Sequence, residues 1–184
     1  METFPARLMR ATQFAARAHA RQTRKGAAAE PYVNHVIEVA ALLAEHGAPE
    51  AAILAGLLHD TVEDTEVTLA ELEAAFGAEV ASIVAEVTDD KTLPKETRKA
   101  HQVRHAATKS DGAKQVKLAD KTSNLCAILA SPPAGWEHGR RVEYIGWAGR
   151  VAAGLRGVNP GLEAAFDAAY RAALDALARE AASA

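Results

Sequence analysis

The chain has 184 residues and a formal net charge of −3, with 49% hydrophobic and 24% charged residues, which is the size of one domain and too apolar for a disordered chain. Alanine fills 44 positions against 19 for glycine and proline together, a balance that favours helix over a β-sandwich or barrel. One cysteine, Cys126, excludes an internal disulfide framework, and the apolar run 51–58 is far too short to span a bilayer.

In chain order, apolar periodicity predicts a first helix over 5–22, with Leu8, Ala11, Ala15 and Ala18 on one side. Six basic residues in 1–25 face Glu2 alone, superficially like a transit peptide. No apolar segment of secretory type accompanies them, so the stretch reads as mature protein and the expected compartment is the cytoplasm. A Gly/Ala-rich loop over 23–31 precedes a helix from about 33 to 46, stopped by Gly47. Pro49 suits the first turn of a third helix running to about Thr61. Thr68 and Glu71 make a capping box for a short helix ending at Phe76-Gly77, and another helix follows to about Thr88. Pro94 begins one reaching about Thr108. Asp111 is expected to cap a long apolar helix through Leu129, ended by Ser131-Pro132-Pro133. Two last helices fall near 136–155 and 160–181, the latter capped by Asn159 with Pro160 at its first position. With no alternating strand, internal repeat or low-complexity linker, the expectation is an all-α bundle of about eight to ten helices, one domain over 1–184.

Charge is divided unevenly. Residues 26–90 contain 14 acids and no Lys or Arg, whereas 91–121 hold nine bases against three acids. Solvated helix faces of opposite sign are one reading; acids that ligate a metal beside bases that hold an anion are the other. A net negative charge and 5% aromatics fit a small polyphosphate better than a nucleic acid.

His59 and Asp60 close the apolar run, and together they can offer one imidazole nitrogen and one carboxylate oxygen to an ion. Glu63 and Asp64 follow at helical spacing, beside the pair. Four such groups within six residues, with no base among them, are costly without a cation or a function. His35 and Asp120 are the further candidate ligands. Two imidazoles and two carboxylates suit Mn²⁺, Fe²⁺, Zn²⁺ or Mg²⁺, with mixed N/O ligation leaning toward a transition metal.

The combination of His35, His59-Asp60 and Asp120 resembles the signature of the HD metal-dependent phosphohydrolases. Arg24-Lys25-Gly26, Pro31-Tyr32-Val33-Asn34-His35, Leu57 to Thr65, Val87-Thr88-Asp89-Asp90-Lys91 and Val116 to Leu125 are similar to the hydrolase domain of the RelA/SpoT alarmone enzymes. The segment from Trp136 to Val158 is similar to the stand-alone small alarmone hydrolases of the Mesh1 type, and the likeness spans about residues 4–175. The resemblance implies a metal, usually Mn²⁺, on His35, His59, Asp60 and Asp120. It implies catalytic roles for Glu63 and Asp64, and removal of the 3′-pyrophosphate of (p)ppGpp to give GDP or GTP.

Substrate contacts are expected from Arg24, Lys25, Tyr32, Lys95, Asn124, Arg140 and Tyr144. Arg24 and Lys25 stand in the flexible loop, and Asn124 lies one turn after Asp120. Arg141 leaves the register of Arg140 open, and Arg98 and Lys99 read as solvated. His19, His46 and His138 read as surface or cap residues, Cys126 as a small buried hydrophobe, and the His101/His105 pair as an exposed polar face. Lys121, Thr122 and Ser123 stand where many members carry Arg, Leu and a larger ring, which is expected to reshape the nucleoside pocket. The expected partner is a small-molecule nucleotide, with no nucleic acid and no membrane; self-association is left open. An adenosine alarmone, NADPH or another nucleotide are the alternative substrates.

Overall fold

The computed structural model describes residues 2–182. They form α1 (Phe4–Ala18), α2 (Val33–Glu45), α3 (Glu50–Leu58), α4 (Thr61–Asp64), α5 (Leu69–Phe76), α6 (Ala78–Val87), α7 (Lys95–His105), a 3₁₀ turn (Ala106–Thr108), α8 (Asp111–Ala130), α9 (His138–Ala153) and α10 (Pro160–Ala182). Extended pairing among the described residues is limited to two isolated bridges, Thr23 to Pro31 and Gly26 to Pro133. The protein is all-α, as the alanine-rich composition predicts.

The cap chemistry explains most of the boundaries. Thr68 and Glu71 make the reciprocal capping box at α5. Ser110, not Asp111, caps α8: its backbone is extended and its Oγ accepts from Ala113 N–H. Pro49 and Pro94 both occupy the capping position itself, with extended ψ, and the helices begin one residue later. The first helix stops at Ala18, four residues short of the sequence boundary. There His19 turns inward and meets Gln22 at 2.6 Å. The third helix does not run on to Thr61; it breaks at His59-Asp60, where Thr61 Oγ1 donates to Leu58 O and α4 restarts.

Helix α8 is the axis of the molecule. Nine consecutive residues, 115–123, are buried, and α2, α3, α6, α9 and α10 all pack on it. Helix α3 is buried from Ala51 to its last residue, Leu58. Gly56 lets it approach α2, since a Cβ there would lie 2.5 Å from Leu43 Cδ1.

Asn159 ties the far end of the bundle together. Its Oδ1 accepts from Leu162 N–H, and its Nδ2 donates to His46 O and Gln115 Oε1. Asn159→Ala is therefore expected to lower stability by about 1–2 kcal/mol, measured by urea unfolding, with turnover unchanged.

Candidate metal centre and adjoining cleft

Three helices deliver the predicted ligands to one point. His35 comes from the first turn of α2, His59 and Asp60 from the break after α3, and Asp120 from the middle of α8. His35, His59 and Asp120 offer donor atoms within 4.8 Å of one another. Asp60 Oδ2 stands 3.1 Å from His59 Nε2 and 3.6 Å from His35 Nε2. Asp120 Oδ1 stands 3.3 Å from His35 Nε2 and 3.9 Å from His59 Nε2.

The tautomers suit a metal. His59 Nδ1 donates to Gly56 O at 2.8 Å, so Nε2 is the nitrogen that faces the cluster. That Nε2 is buried and has no hydrogen-bond partner in the protein, the state expected of a ligand atom. His35 Nδ1 is likewise occupied by Ser123 Oγ at 3.0 Å, so its Nε2 also faces the cluster.

The local field is strongly cation-attracting. Burial opposes a charge on His59, but the Asp60 and Asp120 carboxylates outweigh it and lift its pKa to about 9. Burial likewise disfavours charge on the two acids. The imidazoles hold Asp60 below the usual carboxylate range, and Lys121 with the imidazoles does so for Asp120. A site that holds a proton on imidazole this firmly offers the same attraction to a divalent ion, which displaces the proton on binding. The buried N and O donors fit a transition metal.

Surrounding groups fix the ligands. Tyr32 OH donates to Asp60 Oδ2 at 2.6 Å; burial and that carboxylate raise the phenol's pKa, so it keeps its proton. Asn124 Nδ2 donates to Asp120 Oδ1 at 2.6 Å, and Lys121 Nζ to Asp120 Oδ2 at 2.8 Å.

The acid pair lies on α4, one turn beyond Asp60. Glu63 Oε2 accepts from Asp89 N–H at 3.0 Å, and burial pushes its pKa up. Asp64 is tied to Lys91. The segment after α6 thus orients both acids.

A cleft of about 580 Å³ opens beside this centre and reaches it at His35 and Asn124. All seven expected substrate residues, Arg24, Lys25, Tyr32, Lys95, Asn124, Arg140 and Tyr144, line it. Arg24 bridges Glu38 at 2.8 Å and Asn124 at 3.3 Å. The structure settles the register at Arg140. It lies over the Trp136 ring at 5.1 Å, facing the cleft, whereas Arg141 turns away to a two-point pair with Glu180.

Several sequence expectations need correction. Arg98 and Lys99 are not merely solvated: both line the cleft, and Lys99 binds Glu143 at 2.5 Å. Cys126 is not a buried hydrophobe; it is exposed and lines the cleft. His19 is the C-terminal cap of α1, one of the two readings given for it, but it is buried there rather than on the surface. Lys121, Thr122 and Ser123 are buried as well; they brace Asp120, the α8 backbone at Leu118 and His35 respectively, so their shorter side chains act on the ligand scaffold. Glu38 escaped the sequence reading although it lies one turn after His35. Its Oε2 binds both Arg24 and Ser123.

Comparison with known proteins bears on this arrangement. A profile of the HD domain matches residues 11–142. The chain belongs to the HD-domain family. Within that family it is 52% identical over 163 residues to the human protein named guanosine-3′,5′-bis(diphosphate) 3′-pyrophosphohydrolase MESH1, covering 88% of this chain and 91% of that one. The Drosophila melanogaster protein of the same name is 44% identical over 174 residues, covering 93% and 97%. A solved structure described as a metazoan ortholog of SpoT that hydrolyzes ppGpp superposes with a TM-score of 0.86 at 43% identity, over 90% of this chain and 94% of its own.

In this HD domain the cleft rim depends on one close backbone approach. Gly26 pairs with Pro133, Ala28 N–H donates to Ser131 Oγ, and Ala134 N–H donates to Lys25 O. A Cβ on Gly26 would lie 2.6 Å from Ser131 O, so a side chain there must push the Arg24-Lys25 loop off the rim. Gly26→Val is expected to raise KM about 10-fold with kcat changed less than about 2-fold, a loss of roughly one well-placed ionic contact. Steady-state kinetics check it; an equal fall in kcat counts against this account.

Proposed function

We propose that this HD domain is a metal-dependent 3′-pyrophosphohydrolase that converts (p)ppGpp to GDP or GTP plus pyrophosphate. The observation that carries the reading is the imidazole–carboxylate cluster opening onto a cleft lined by Arg24, Lys25, Lys95, Arg98, Lys99 and Arg140. That arrangement suits a small, highly charged nucleotide with one reactive phosphoryl group. The human and fly relatives are named for the same activity.

His35, His59, Asp60 and Asp120 would hold the metal, for which we propose Mn²⁺. When bound, such an ion lowers the pKa of water and polarises a phosphoryl oxygen. The protein supplies the remaining steps. Glu63, oriented by Asp89 N–H, takes a proton from the attacking water; its raised pKa suits a general base. Asp64, steadied by Lys91, supports that geometry. The water oxygen bonds to the inner phosphorus, the bond from phosphorus to the 3′ oxygen breaks, and that oxygen leaves as the 3′ hydroxyl on taking a proton from solvent, to which Glu63 returns the one it accepted. Arg24, Lys25, Lys95 and Arg140 offset the remaining phosphate charge, while Tyr32, Asn124 and Tyr144 shape the nucleoside side. The same reading takes residues 1–184 as one domain acting in the cytoplasm.

Incubation with Mn²⁺ and ppGpp is expected to release pyrophosphate and GDP, and EDTA is expected to stop it with recovery on adding Mn²⁺ back. Anion-exchange chromatography of the products gives the answer. Release of orthophosphate alone would reject the reading.

A further inference from the structure

Helix α7 turns Lys95, Arg98, Lys99 and Gln102 toward the cleft, the spacing of one helical face. Their commitments differ. Lys99 is fixed on Glu143 and lies 5.7 Å from the Trp147 ring centre. Gln102 donates to Asp89 Oδ2 at 2.6 Å. Lys95 stands near Arg140, and partial burial with that neighbouring charge lowers its pKa.

Arg98 is placed otherwise. Its side chain is 26% exposed, and its Nε is buried without a hydrogen-bond partner. The carboxylate oxygen beside it, Glu63 Oε1, is 3.9 Å from Nη1, too far for a hydrogen bond. A guanidinium that lines the cleft and makes no hydrogen bond to a neighbour can pair with phosphate oxygens. Arg24, Arg140 and Lys91 are each already held by a carboxylate. Arg98 is therefore the cation beside the acid that manages the attacking water, with donors in reserve.

The group passed to water in the proposed reaction is itself a diphosphate. Its inner phosphate belongs at the metal centre, and its outer phosphate needs a cation on the side where Glu63 works. We infer that Arg98 grips the outer phosphate of the pyrophosphoryl group and so makes the enzyme selective for a 3′-diphosphate. This inference rests on the activity proposed above.

The test uses the full-length, Mn²⁺-loaded protein and its Arg98→Gln and Arg98→Lys variants. Inhibition constants are measured for inorganic pyrophosphate and for GDP, the product that lacks the transferred group, along with kcat and bound metal. With Arg98→Gln the pyrophosphate constant is expected to rise about 10- to 100-fold, the effect of losing a charged hydrogen bond to phosphate. The GDP constant and the metal content stay within about 2-fold, and Arg98→Lys recovers part of the loss. An unchanged pyrophosphate constant, or a parallel rise for GDP, would overturn the assignment. If the wild-type protein releases no pyrophosphate from ppGpp, the proposed activity fails instead. Calorimetric binding of pyrophosphate to wild type and variant then still decides whether Arg98 holds a diphosphate.

Discussion

Replacing Glu63 with Gln is expected to leave the metal in place and to slow pyrophosphate release by about 10²- to 10⁴-fold, the usual effect of removing a general base. The substitution keeps the volume and can keep the hydrogen bond, since an amide oxygen accepts from Asp89 N–H as the carboxylate does. What it removes is the ability to take a proton. Metal analysis by mass spectrometry separates this from damage to the site, because the hydrogen bond and ion pair of Glu63 go to Asp89 and Arg98 rather than to the four ligand residues. A variant that retains more than about one tenth of wild-type kcat would assign the base elsewhere, with Asp64 the next group to test.

Asp120→Asn is expected to abolish both metal binding and turnover. Asp120 stands within 4 Å of both ligand imidazoles and accepts from Lys121 and Asn124. An amide would lose the charge and would turn a donor toward one of those donors. The substitution also strands the buried Lys121 ammonium, whose pKa is raised by its attraction to Asp120 against the cost of burial. Breaking one half of such a pair costs about 3–5 kcal/mol. Two measurements keep the effects apart. The wild-type melting temperature should fall on adding EDTA and recover with Mn²⁺, since a bound ligand stabilises the folded state; the variant should respond to neither. Adding Lys121→Met should restore part of the stability while leaving the site metal-free.

The metal centre was the most legible part of this molecule because its residues break the local pattern. An imidazole and acids at the end of an unbroken apolar run have no cheap structural explanation, and His35 and Asp120 intrude on apolar stripes in the same way. Arg98 and Lys99 lacked any such contrast. Helix α7 carries charge on every side and buries no residue fully, so no apolar stripe sets which face turns inward. The opposite problem hid the orientation of Lys121 to Ser123: nine successive buried positions in α8 erase the helical phase. At the start of α8, Ser110 and Asp111 are both competent caps, and only the extended backbone at Ser110 decides between them. The break at His59-Asp60 carries no proline or glycine; it follows from Thr61 turning its hydroxyl back onto Leu58 O.

The rim contact between Gly26 and Pro133 joins segments more than a hundred positions apart, as do the neighbouring hydrogen bonds from Ala28 N–H to Ser131 Oγ and from Ala134 N–H to Lys25 O. Chain order therefore separates two assembly events during synthesis. The last metal donor, Asp120, emerges from the ribosome well before Trp136, Arg140, Tyr144 and Trp147, which build the far wall of the cleft. A chain that ended after α8 would carry every donor residue yet lack the wall that Trp136, Arg140, Tyr144 and Trp147 give the cleft, so the ion site and the nucleotide cleft are separable along the sequence.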